Sequence, residues 1–295
     1  MDKIKLVILV LVLLALFLAG CKQIPWFGGE AEPTGIGLIM QFEPDMPPAR
    51  WYEGEPFELQ ISIRNAGNYD LERNAYNYIF LSGYDKSIVN FDSSYKRVPR
   101  IEAATRLKPE GGQEYITFYS GGAMIGSQDT FTTPIQAKLC YYYETFANPK
   151  VCIDPSPDIR TAGSEVCQPY PTTGGNQGGP VIITNVEQET SRHETLFTIH
   201  IQNVGTGRVV ERSALAHCES GIMPQEYDKV WVDLEGGDGC EPNPVNIGPM
   251  GSAMTRCSFS AYSDTQHAYE TQMHFRLMYG YEDIRTKYVT FVKTS

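Results

Sequence analysis

The sequence predicts an all-β protein: two tandem β-sandwiches behind an N-terminal signal or anchor helix. Three observations carry this expectation. Short runs of alternating apolar and polar residues recur from residue 35 onward, amid 27 glycines, 19 prolines and 18 tyrosines, a composition of strands and turns. After residue 21 no amphipathic helical pattern runs beyond about two turns. Two ungapped blocks also recur 138 residues apart, Glu58–Asn68 in Leu196–Thr206 and Leu139–Ile153 in Leu277–Phe291. They share four of eleven and five of fifteen residues, and inward positions match inward positions: Ile61 with Ile199, Ile63 with Ile201, Leu139 with Leu277, Tyr141 with Tyr279, Tyr143 with Tyr281 and Val151 with Val289. A duplicated β-module explains both blocks.

In chain order, Lys3 and Lys5 precede an apolar run from Leu6 to Ala19, the layout of a secretory signal peptide. At fourteen residues the run is short for a hydrocarbon core of about 30 Å. Leu18-Ala19-Gly20-Cys21 resembles the lipobox of bacterial and archaeal lipoproteins. That resemblance implies cleavage before Cys21 and lipidation of its thiol; an uncleaved membrane helix is the alternative. Residues 22–34 read as a tether. The first module spans 35–154. In it Phe57, Leu59, Ile61 and Ile63 alternate with polar residues up to an Asn-x-Gly turn, and a turn at Leu107–Gly112 leads into another strand. Pro155–Gly179 has linker composition, and the second module spans 180–295. Each module has the strand count and length of an immunoglobulin-like sandwich.

The strand with its Asn-x-Gly turn (Ile61–Gly67, Ile199–Gly205) and the Leu107-x-Pro-x-Gly turn resemble CARDB-type and related immunoglobulin-like domains of prokaryotic surface proteins. Paired modules with segments like Cys140–Tyr143 and Val151–Asp154 resemble archaeal membrane-anchored proteins. The resemblance covers most of residues 35–293. It implies a fold and brings no catalytic residues. The second module departs from it at Ile247-Gly-Pro-Met-Gly251.

With Cys21 set aside, six of the seven cysteines remain: Cys140, Cys152, Cys167, Cys218, Cys240 and Cys257. An even set in an extracytoplasmic chain predicts three disulfides. The favoured pairing is Cys140–Cys152 across a hairpin, with Cys240–Cys257 and Cys167–Cys218; Cys152–Cys167 is the alternative loop closure. No C-x2-C pair suggests zinc. The acidic turn Asp233–Gly239 lacks calcium-loop spacing, and His200 and His274 read as surface residues on different sheets. No nucleophile, phosphate-loop or metalloprotease motif occurs, so neither catalytic residues nor cofactors are expected.

A formal net charge of −11 argues against nucleic acid and anionic lipid headgroups as direct partners. Tyr76, Tyr78 and Phe80 share a strand face and are expected in the core. Tyr84, Phe91 and Tyr95 fall in loop-like sequence, a candidate contact loop for a protein or sugar. The sequence thus predicts a non-enzymatic binding or adhesion protein on the outer face of the cytoplasmic membrane, held there by an N-terminal lipid or helix. Its expected partner is another envelope protein or a glycan. A structural spacer or assembly factor of the envelope is the second reading, and a hydrolase a remote third.

Overall fold

A computed structural model describes residues 36–72, 76–154, 167–168, 170–175, 177–191, 194–260 and 268–294. The expected signal or anchor helix 1–21 with Cys21, the tether 22–34 and linker residues 155–166 lie outside the described residues. Among the described residues no helix is long and apolar enough to cross a membrane.

The first half contributes β1 (Leu38–Phe42), β2 (Arg50–Tyr52), β3 (Phe57–Asn65), β4 (Tyr78–Ser82), β5 (Val89–Phe91), β6 (Tyr95–Arg97), β7 (Gln113–Ala123), β8 (Thr130–Ala147) and β9 (Lys150–Ile153). The second contributes β10 (Val181–Thr190), β11 (Glu194–Asn203), β12 (Arg208–Val210), β13 (Lys229–Leu234), β14 (Gly239–Glu241), β15 (Val245–Asn246), β16 (Ser252–Ser260), β17 (Tyr269–Gln272) and β18 (Phe275–Val292), with 3-10 turns at Arg212–His217 and Pro224–Glu226. The protein is an all-β sandwich. Two four-stranded sheets, β1-β3-β7-β5 and β10-β11-β16-β14, have the same order in the two halves. Both pack on one eight-stranded sheet, β15-β13-β18-β8-β4-β6 with β12 and β2 also paired to β18. Alternation on β3 and β11 places Leu59, Ile61 and Ile63, and Phe197, Ile199 and Ile201, fully inside. Phe57 meets Phe291 at 5.5 Å and Phe197 meets Phe275 at 6.0 Å, so β18 lies under both small sheets.

The two sandwiches share this middle layer. β8 and β18 pair antiparallel along their whole length, Tyr141 opposite Tyr281 and Tyr143 opposite Tyr279. The sequence repeat equates Tyr141 with Tyr279 and Tyr143 with Tyr281, so exchanging the halves restores the same pairs. A local two-fold axis therefore passes through the Tyr142–Gly280 pair. Other pairings also cross between halves: β2 runs parallel to the end of β18, and β9 pairs with β17. Leu215 covers Gly280 from the outer face, where a Cβ would lie 2.9 Å from its side chain.

The disulfides are Cys140–Cys218, Cys152–Cys167 and Cys240–Cys257. Cys240–Cys257 is a cross-strand bond between β14 and β16, as expected. The favoured Cys140–Cys152 bond is corrected. β8 has β18 and β4 as neighbours, while β9 pairs with β17, so the two cysteines do not face each other. Cys140 instead holds the Arg212–His217 turn to the outer face of the shared sheet, among Leu215, Phe80, Tyr142 and Ile222. Cys167, expected to bond Cys218, takes the alternative loop closure with Cys152.

Tyr78 and Phe80 also differ from expectation. Ile79 and Leu81 are the buried residues of β4, so Tyr78 and Phe80 lie on the outer face and Tyr76 is 45% exposed. A strand admits one inward set, and the aliphatic pair takes it.

Candidate binding site

The three residues of the candidate contact loop separate. Phe91 is in the core, packed on Phe57 at 5.7 Å and Phe118 at 6.4 Å. Tyr84 stacks edge-on against Phe91 at 5.2 Å, and burial raises its hydroxyl pKa. Phe91 is buried because β5 pairs with β7 and turns that ring inward. Tyr95 alone is surface, at 44% exposure, and its companions are the displaced aromatics of β4. It sits opposite Phe80, and Arg97 opposite Tyr78. The rings lie close together: Tyr78–Tyr95 at 5.7 Å, and Phe80 at 6.0 Å from each. Arg97 donates to the Tyr78 hydroxyl at 3.0 Å and lies over the Tyr78 ring; Lys138 lies over Phe80 at 5.6 Å. The result is an aromatic face with two cations at its rim.

A second feature sits at the local two-fold axis. Tyr141, Tyr143, Tyr279 and Tyr281 form a buried cluster with neighbouring centroids 5.6–6.4 Å apart. Burial raises all four hydroxyl pKa values, that of Tyr281 to about 12. Each half closes its Asn-x-Gly turn on this cluster. The Tyr143 hydroxyl donates to Asn65 Oδ1 and that of Tyr281 to Asn203 Oδ1, both at 3.1 Å.

Between the small sheets and above this cluster is a cavity of about 420 Å3, in the size range of small-ligand sites, roughly 300–1,000 Å3. Ile36, Leu38, Ile182 and Val204 supply apolar walls, and Tyr141, Thr206, Asp283 and Arg285 supply polar groups. Asp283 is only 5% exposed, and burial raises its carboxyl pKa against the opposing pull of Arg285. Arg285 donates to Asp283 at 2.6 Å and to Thr206 Oγ1 at 3.0 Å.

Sequence reasoning named Tyr141 as an inward residue and missed Asp283 and Arg285. A signal existed: at matched inward positions of the repeat they replace Thr145 and Ala147, a charged pair where the first half has small residues.

No protein family matches the chain, and no curated protein matches its sequence. Among solved structures, the chain compares with a conserved protein of unknown function from Pseudomonas aeruginosa PAO1 at 8% identity and a TM-score of 0.10, over 85% of this chain and 98% of that one. At that score the likeness carries no argument, and the site is read from its own geometry.

Proposed function

We propose that the chain is a membrane-anchored, non-enzymatic binding or adhesion protein of the cell envelope, whose partner is another envelope protein or a glycan. The observation that carries this reading is the aromatic face of Tyr78, Phe80 and Tyr95 with Arg97 and Lys138 at its rim. Aromatic rings on a rigid sheet offer flat contact area at small entropic cost, and flanking cations add directional donors. Three disulfides suit an oxidising compartment. Anchoring at Cys21 follows from the lipobox-like sequence.

The test is capture of partners from envelope extract, and binding to a glycan panel, with the chain and a Tyr95→Ala/Arg97→Ala variant. Both positions lie outside the core, so the variant folds. The expected result is a protein or glycan retained by the parent and lost by the variant; identical capture by both removes the aromatic face as the contact. Mass spectrometry of the mature protein from a native membrane checks the anchor, expected as a lipidated N-terminal Cys21.

A further inference from the structure

The aromatic face has an internal counterpart. The two-fold axis carries β4 onto β13 and β8 onto β18, so Tyr78 falls on Trp231, Lys138 on Arg276 and Glu282 on Glu144. The contacts repeat as well. A cation stacks on each ring, Arg97 on Tyr78 at 5.5 Å and Arg212 on Trp231 at 5.0 Å. Each strand cation stands 4.0 Å from a carboxylate of the facing half, Lys138 from Glu282 and Arg276 from Glu144.

One position differs in charge. Phe80 sits opposite Lys138 where Asp233 sits opposite Arg276, and Asp233 holds Arg276 in a 2.9 Å ion pair. The second-half face is therefore neutral, with Arg212 and Arg276 against Glu144 and Asp233. The first-half face sets Arg97 and Lys138 against Glu282 alone, and has a ring in place of the second carboxylate. Lys138 also donates to Cys218 O, while exposed Arg97 makes no ion pair with another described residue. In a chain of formal net charge −11, this patch has one positive charge in excess, on an aromatic floor. The fold does not require it, since β13 and β18 keep the same pairing without it. The next row of the face is polar and uncharged: Ser82, Gln136 and Thr286 stand side by side across β4, β8 and β18, all exposed.

We propose that this face binds a glycan at a sugar bearing a single carboxylate, a hexuronate flanked by neutral sugars. The carboxylate pairs with the Arg97 guanidinium, whose planar fork matches it, beside the positive charge of Lys138. The C–H face of the sugar ring lies on Phe80 and Tyr95, and neutral neighbours meet the hydroxyl and amide groups of Ser82, Gln136 and Thr286. One excess charge accommodates one carboxylate; a run of them would meet repulsion from the acidic remainder of the surface. The proposal rests on the aromatic face as the contact surface and adds the partner class and the group recognised.

The probe is a trisaccharide of one glucuronate and two neutral hexoses, titrated into the full chain and followed by NMR of the glycan. Its control is the same trisaccharide with the carboxyl reduced to the alcohol. Saturable binding of the acid is expected, with the reduced sugar about 10-fold weaker. Arg97→Gln is expected to weaken the acid about 10-fold and leave the reduced sugar unchanged. Phe80→Asp, which brings to β4 the residue that β13 already carries, is expected to abolish binding of the acid; Arg97→Gln, on the surface, decides the matter should Phe80→Asp lower Tm. Equal binding of acid and reduced sugar, both lost in Tyr95→Ala/Arg97→Ala, overturns the carboxylate and leaves the aromatic face standing. Tighter binding of a tripeptide with one glutamate overturns the glycan in favour of a protein partner. Binding of neither sugar overturns the proposal, while partner capture by the parent and not by Tyr95→Ala/Arg97→Ala would still uphold the face.

Discussion

Asn65 uses one side-chain amide to close a turn from four directions. It donates to Tyr69 O and Ile101 O and accepts from Gly67 N and the Tyr143 hydroxyl. It is fully buried, so truncation strands these partners away from water. Asn65→Ala is expected to cost about 3 kcal/mol in urea denaturation. Asn203→Ala should cost about half as much, because its amide is half-buried and, among the described residues, donates to Gly207 O alone. The tyrosines beside these turns set a pH limit. Burial holds Tyr141, Tyr143, Tyr279 and Tyr281 neutral above the ordinary value of about 10, Tyr281 up to about 12. The unfolded chain releases those protons first. The stability they confer is therefore complete below about pH 10 and is lost as pH rises toward about 12. Ultraviolet titration should show these phenols ionising together with unfolding; their ionisation in a chain whose circular dichroism stays native would contradict the buried cluster. Residue-scale legibility followed the aliphatic pattern. Phe57, Leu59, Ile61 and Ile63 read correctly because apolar and polar residues strictly alternate. Tyr78 and Phe80 misled because Tyr78-Ile79-Phe80-Leu81 is apolar on both faces, and only the packing of Ile79 and Leu81 decides which set turns inward.

Among the elements, the disulfides differ in what they join. Cys140–Cys218 closes a separation of 78 residues between β8 and the Arg212–His217 turn, while Cys240–Cys257 closes 17 between adjacent strands. Loop-closure entropy in the unfolded chain then gives the first about 4 kcal/mol and the second about 3. Guanidinium denaturation of Cys140→Ser/Cys218→Ser and Cys240→Ser/Cys257→Ser should rank the first as the larger loss; the reverse order would show that the Arg212–His217 turn holds its place without the bond. The Cys240–Cys257 pairing was legible because only 17 residues separate the two cysteines. Cys140–Cys218 was not, because it depends on a segment that docks on the outer face of a strand far away in sequence. The partner of β9 was hidden for the same reason: a short strand carries no mark of whether its neighbour is the preceding strand or β17. The cavity was half legible. The repeat alignment sets Thr145 against Asp283, while the cavity's existence depends on how β1 and β10 approach across the axis.

For the whole molecule, the pairing of β8 with β18 means that neither half owns its second layer. A chain of residues 36–154 would leave the full length of β8 as an open edge, a template for association. Such a fragment is expected to elute from a sizing column as dimers or larger species, at no less than twice its own mass, while residues 36–295 elute at the mass of one folded chain; a monomeric, folded 36–154 would show that the first half closes on itself. The duplication was legible as paired sequence blocks, yet the sequence placed a linker between two units, because a linear repeat does not reveal the symmetry that relates its copies. The return of β18 to the first half has a mechanical consequence. Thr290, Phe291 and Val292 lie beside Arg50, Trp51 and Tyr52, and Lys287 donates to Glu43 O. Tension applied between the start of β1 and the end of β18 is therefore carried across the first sandwich by these lateral bonds, and the second sandwich hangs outside the load path, free to keep its shape while the first is stretched.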